Sequence, residues 1–139
     1  MENLYKAWNG ELWSEECDPF VDNCFWFNTE KGEGIFVNDA HEFKIVRHTG
    51  LKIGAHNGTQ PIWEGDILRI KLPAGGFWGN IKVDKVGIVR YEPDYGGYIV
   101  QWEYSRHQHH ERLTCDIAHG AEYLGNVHSD KELITEYNL

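Results

Sequence analysis

The chain has 139 residues, a formal net charge of −9 and 41% hydrophobic residues. That length supports one domain with a sizeable core, or two small β units sharing it. The composition is globular, without low-complexity segments or a repeat of fixed period, and the acidic balance argues against a phosphate-backbone binder, which needs a net basic face.

The opening MENLYKAWNGELW has neither a basic n-region nor an apolar h-region, so no secretory leader is expected. No apolar run approaches the roughly 18 residues that span a bilayer, and no membrane partner is expected. Cys17, Cys24 and Cys115 are an odd number, which argues for a reducing cytoplasm rather than a secreted disulfide framework. The charge is uneven. Residues 1–42 carry ten acids and two bases, a net −8; residues 43–91 are +5 and residues 92–139 are −6.

In chain order, LYKAWNGELW predicts a hairpin with a two-residue Asn9-Gly10 turn. The acidic stretch Glu15 to Asn23 holds Pro19 and reads as a loop. CFWF (Cys24–Phe27) and GIFV (Gly34–Val37) predict two strands joined by a glycine-containing turn. EFKIVRH predicts a strand with Phe43, Ile45 and Arg47 on one face, or a short helix begun at Asp39. From His48 to Pro61, the glycines Gly50, Gly54 and Gly58 with Asn57 and Pro61 predict a loop.

DILRIKL then alternates, with Ile67, Arg69 and Lys71 on one face and Leu68, Ile70 and Leu72 on the other, the period of a half-buried strand. PAGGFWGN predicts a turn-rich excursion. IKVDKVGIVRYEP predicts a long strand with a bulge or bend at Gly87. DYGG turns and GYIVQWEY returns, while LTCDI and AEYLGNV predict two short strands. Only one helix is expected. It begins with a capping box, Ser129 with Glu132, and continues through Leu133, Ile134 and Tyr137. The whole predicts a mainly β protein with a small barrel.

The pattern EGDILRI, VGIVRY and GYIVQWEY resembles that of SH3-like barrels. With Thr49-Gly50-Leu51-Lys52, Ile62-Trp63-Glu64-Gly65-Asp66-Ile67 and Leu124-Gly125-Asn126-Val127 in this order, nearly the whole chain resembles the YopX-like proteins of phages and prophages. The chain departs from their pattern after Lys52 and in a longer excursion from Pro73 to Lys85. The resemblance implies an SH3-like β fold, a phage origin and the cytoplasm of a bacterial host. It implies no catalytic set and no cofactor.

Four groups are candidates for chemistry. Glu64 and Asp66 form a carboxylate pair suited to acid–base work, but they flank a glycine at a strand entrance, and Asp66 is expected to accept backbone N–H bonds there. In RHQHHERLTCDIAHG, His107 and His109 have a β-strand ligand spacing that Cys115 or His119 would complete as a zinc site. Against a metal, no Cys-x-x-Cys or His-Glu-x-x-His occurs, and the polar segment also reads as a hairpin loop. The central basic set, Arg69, Lys71, Trp78, Lys82, Lys85 and Arg90, lies among Phe77, Tyr91, Tyr95 and Tyr98, a combination that stacks single-stranded nucleic acid. Those aromatics equally fill a small barrel. Ser14, Ser105 and Ser129 lack a nucleophile elbow, no activating motif flanks Cys17, Cys24 or Cys115, and no phosphate loop or dinucleotide fingerprint occurs.

The expectation is an N-terminal β-rich subdomain over residues 1–58 and an SH3-like barrel with a C-terminal helix over residues 59–139. The expected role is a non-enzymatic, phage-derived accessory protein without cofactor or metal that binds a protein partner or itself. Two alternatives stand beside it: a single-stranded nucleic-acid binder using the basic centre, and an acidic decoy for a host DNA-binding protein.

Overall fold

The computed structural model describes residues 4–18, 24–27, 34–36, 44–54, 60–74, 81–104 and 107–139. These are mainly β, in antiparallel pairs, with two short helices. The chain forms two compact units, Met1–His48 and Thr49–Leu139. The division falls at His48/Thr49 rather than between residues 58 and 59.

Unit 1 holds β1 (Tyr5–Trp8), β2 (Cys24–Trp26), β3 (Gly34–Phe36) and the start of β4 (Lys44–Ile53). β1 pairs with β4 from Tyr5↔Arg47 to Trp8↔Lys44, and β2 pairs with β3 as the two sequence stretches predict. The chain after β1 does turn back, but over four residues. Trp8 bridges Trp13, and the Asn9 side chain accepts N–H bonds from Glu11 and Leu12, both at 2.8 Å. Gly10 has φ +102° while Asn9 stays out of the left-handed region, so the expected two-residue turn is not formed. The asparagine acts through its carboxamide instead. Ala7, Cys17, Phe25 and Phe27 make the core of this unit, with Tyr5 against it.

β4 is a strand from Lys44 onward, as the first reading of the segment has it, and it continues through Gly50 (φ +84°) into what was expected to be a loop; Asp39 lies outside the described residues. At its start Val46 is buried, 2% exposed, whereas Ile45 is 42% exposed. The inward set is therefore the other alternate. Phe43 lies outside the described residues.

Unit 2 takes the rest of β4, followed by β5 (Gln60–Trp63), β6 (Asp66–Ala74), β7 (Ile81–Glu92), β8 (Gly97–Tyr104), β9 (His107–Arg112), α1 (Cys115–Gly120), β10 (Glu122–Asn126) and α2 (Glu132–Glu136). Pro61 stands inside β5, next to β4 in the sheet order. Five strands form one antiparallel sheet in the order β10-β6-β7-β8-β9. It is a meander whose last strand returns beside its first. β10 carries a register shift between Tyr123 and Gly125.

The core lies on the sheet face bearing Leu68, Ile70, Val89 and Val100, with Ile62, Leu113, Ala118 and Ala121 added from outside these strands. Full burial of such aliphatic side chains contributes about 1.5–3 kcal/mol each. The half-exposed Arg69–Asp84 pair at 3.7 Å contributes about 0–1 kcal/mol. Apolar burial therefore decides which way the sheet faces. The predicted alternation of β6 holds for Leu68 and Ile70, although Ile67 on the opposite face is also fully buried.

LTCDI is not a strand. Thr114 N-caps α1, its Oγ1 accepting from the Ile117 N–H at 3.4 Å, and Asp116 stands in the first turn, where a carboxylate favours the helix dipole. α2 is the expected helix, but not through a capping box: the Ser129 hydroxyl donates to Asp130 Oδ2 at 2.8 Å, and Lys131 is its N-cap.

Gly87 is not a bulge in the β6–β7 ladder, which runs without register shift from Ile67↔Ile88 to Ala74↔Ile81. The glycine is needed for close approach. A Cβ there would lie 2.7 Å from the Gln101 carbonyl oxygen and 2.7 Å from Val100 Cγ1. Alanine elsewhere in a strand gains about 0.5–1 kcal/mol over glycine, but overpacking against backbone costs about 1–3 kcal/mol. Gly87→Ala is therefore expected to lower the urea midpoint. An unchanged or raised midpoint contradicts the close approach.

Candidate functional site

The turn between β5 and β6 is built around a buried carboxylate. Asp66, 1% exposed, accepts the Trp63 N–H through Oδ2 at 2.8 Å and the Asn126 carboxamide through Oδ1 at 3.0 Å. Asn126, fully buried, also donates to the Glu64 carbonyl at 3.2 Å, and its Oδ1 accepts the His128 N–H at 2.9 Å. Gly65 (φ +81°) makes the turn, donating its N–H to the Val89 carbonyl and accepting from Val127. Asp130 Oδ2 takes the Asn126 N–H at 3.0 Å. Both Asp66 oxygens thus hold groups of the fold, as the turn-acceptor expectation for Asp66 requires. Glu64 contributes its carbonyl to the same lock.

Tyr123 pairs with Leu68 beside this lock. Burial, then the Asp66 and Asp130 charges, push its phenol up to about 12 from the ordinary 10.0. The folded state holds this proton longer than the unfolded chain. Its contribution to stability is therefore complete below pH 10 and is lost as pH rises through about 12.

Among the described residues, the basic set divides between the two faces of the sheet. Arg69, Lys71 and Arg90 share the sheet face opposite the core, as the pairs Arg69↔Val86, Lys71↔Asp84 and Arg90↔Ile99 require. Lys85 pairs with Ile70 and belongs to the other face. Lys82 lies in β7 opposite Pro73; its side chain, like Trp78 and Phe77, is outside the described residues. Carboxylates attend both arginines. Arg69 stands 3.7 Å from Asp84 and from Glu122. Arg90 is 3.0 Å from Glu92 and donates to Gln101 Oε1 at 2.8 Å.

The same face gains His110 and Arg112, which the basic set omitted, and Tyr95, one of the aromatics named beside it. Gln101↔His110 and Ile99↔Arg112 bring His110 and Arg112 of β9 onto it. The β7–β8 turn supplies Tyr95, whose ring lies 4.6 Å from the Arg112 guanidinium carbon and 5.3 Å from the His110 ring. The Tyr95 hydroxyl and His110 Nε2 are 2.8 Å apart. Tyr95, His110 and Arg112 are all exposed. The spacing of His110 and Arg112 was visible as strand alternation in HHER. Their meeting with Tyr95 depends on a hairpin register that sequence does not print. Among the described residues, β9 has only β8 as a neighbour, so this cluster sits on a sheet edge.

His107 and His109 do lie on a strand, opposite Tyr104 and Trp102, but their side chains are outside the described residues. Cys115 and His119 stand near opposite ends of α1. Among the described residues, no three His, Cys, Asp or Glu side chains gather closely enough to hold a metal ion. Ser14 is buried, its Oγ accepting the Ala7 N–H and donating to the Glu15 carbonyl. Cys17 is a buried thiol; Ser105 and the Cys24 side chain lie outside the described residues. No described helix is long and apolar enough to cross a membrane.

An alkaline absorbance titration of the wild type minus Tyr123→Phe is expected to show one phenol ionising near 12. A difference curve centred near the ordinary value of 10.0 contradicts the setting described for Tyr123. No model of a known protein family matches this chain, and no curated protein matches it.

Proposed function

We propose that the chain is a non-enzymatic accessory protein of the YopX-like, phage-derived kind, and that it binds another protein through the β9 edge of unit 2. The observation that carries the binding reading is the exposed cluster of His110 and Arg112 on β9 with Tyr95 of the β7–β8 turn, β9 having β8 as its one neighbour among the described residues. Tyrosine and arginine are enriched where proteins bind one another, and a strand edge offers main-chain hydrogen bonds to an incoming segment. The β6-to-β9 meander, with β10 returned to β6 after the short α1, supports an SH3-like reading of unit 2.

Nucleic acid is the less favoured partner on the same face. Arg69, Lys71, Arg90 and Arg112 there stand among Asp84, Glu92 and Glu122, so few positive charges are left for phosphates. A backbone binder weakens steeply with salt because it releases counterions, whereas a stacked and strand-paired protein contact weakens little.

Capture from a bacterial host lysate, with the immobilised full chain and its Tyr95→Ala/Arg112→Ala variant side by side, tests this. The wild type is expected to retain a protein at high salt that the variant releases. Equal retention by both, or capture of nucleic acid that disappears at high salt, overturns it.

A further inference from the structure

We propose that the outward face of unit 1 docks a basic, arginine-bearing segment of a partner protein. Ala7, Ser14, Phe25 and Phe27 point into the core, and Ser14 bridges Phe27. Alternate residues of an extended chain point to opposite sides. Trp13 and Glu15 therefore stand on the outer face, and Trp8 joins them across its bridge to Trp13. The Glu15 N–H donates to the Trp26 carbonyl at 2.7 Å, which sets Trp26 beside Glu15 on that face. On its other flank Trp26 pairs with Gly34, which has no side chain to cover it.

The pairing with β1 slips by one residue between the Trp8–Trp13 and Tyr5–Cys17 bridges. Such a bulge turns consecutive residues the same way, and Glu15 and Glu16 are both exposed. The result is a surface of three indoles with carboxylates among them. Trp26 is 50% exposed, and Leu12 in the adjoining turn is 42% exposed.

Charge selects the occupant. Residues 1–42 carry a net −8, which repels phosphate and attracts a basic chain. The face already accepts a cation of its own, since the Lys6 ammonium sits 4.2 Å from the centre of the Trp13 ring. Trp26 beside Glu15 offers an incoming group the same chemistry. A guanidinium fits it better than an ammonium. It is planar and weakly hydrated, and it stacks on an indole while its edge bonds a carboxylate. This surface involves unit 1 alone and does not depend on the β9 edge.

The test titrates the full chain at low salt, by calorimetry, with a glycine–arginine repeat peptide and its glycine–lysine counterpart. The arginine peptide is expected to bind more tightly than the lysine one. Trp26→Ala and Glu15→Gln are each expected to weaken it about three- to tenfold, while Glu136→Gln, at an exposed acid of unit 2, leaves it unchanged. In the unsubstituted protein, the Trp26 indole N–H resonance is expected to move as the peptide is added. No binding of the arginine peptide overturns the proposal. So does equal binding of the two peptides by every variant, or an indole resonance that stays in place.

Discussion

The carboxylate of Asp66 is held, almost out of water, between the Trp63 amide and the Asn126 carboxamide. Burying a charge costs several kcal/mol unless hydrogen bonds offset it, so this group is tolerable only when both donors are in place. The requirement ties the β5–β6 turn to a segment 60 residues later. It fixes where β10 lies against β6, and through Asp130 it fixes the entry to α2. Both oxygens of the Asp66 carboxylate are thereby committed to the fold.

With that register set, the five-stranded sheet has two unlike faces. One carries Leu68, Ile70, Val89 and Val100 into the core. The other presents arginines already attended by Asp84, Glu92 and Glu122, and ends at β9 with the tyrosine–histidine–arginine cluster. Unit 1 presents a different surface, tryptophans among carboxylates. Both are surfaces of contact chemistry, cation against ring and carboxylate against guanidinium.

Where period and turn chemistry act locally, the sequence is legible. The alternation of DILRIKL, the strand pair around Cys24–Phe36 and the return of GYIVQWEY all follow from residues within a few positions of one another. Reading failed where a distant partner decides. Gly50 and Pro61 look like breakers, yet β4 and β5 run through them. Thr114 with Asp116 is a cap signal that the β-branched look of LTCDI hides. Ser129 is drawn from its capping box by Asp130, which is itself recruited by Asn126. The site shows the same division. Asp66 as a turn acceptor is a local inference and is what the geometry shows, whereas the placing of Arg69, Lys71 and Arg90 on one face and Lys85 on the other depends on the register of β6, β7 and β8.

A double-mutant cycle on Asp66→Ala and Asn126→Ala, read by urea unfolding, measures the central interaction directly. Either single change leaves a buried donor or acceptor unsatisfied and is expected to cost about 2–4 kcal/mol. The double variant is expected to cost less than the two together, with a coupling of about 1–3 kcal/mol. Additive losses would mean that the two side chains act separately and that the lock is not what orders unit 2.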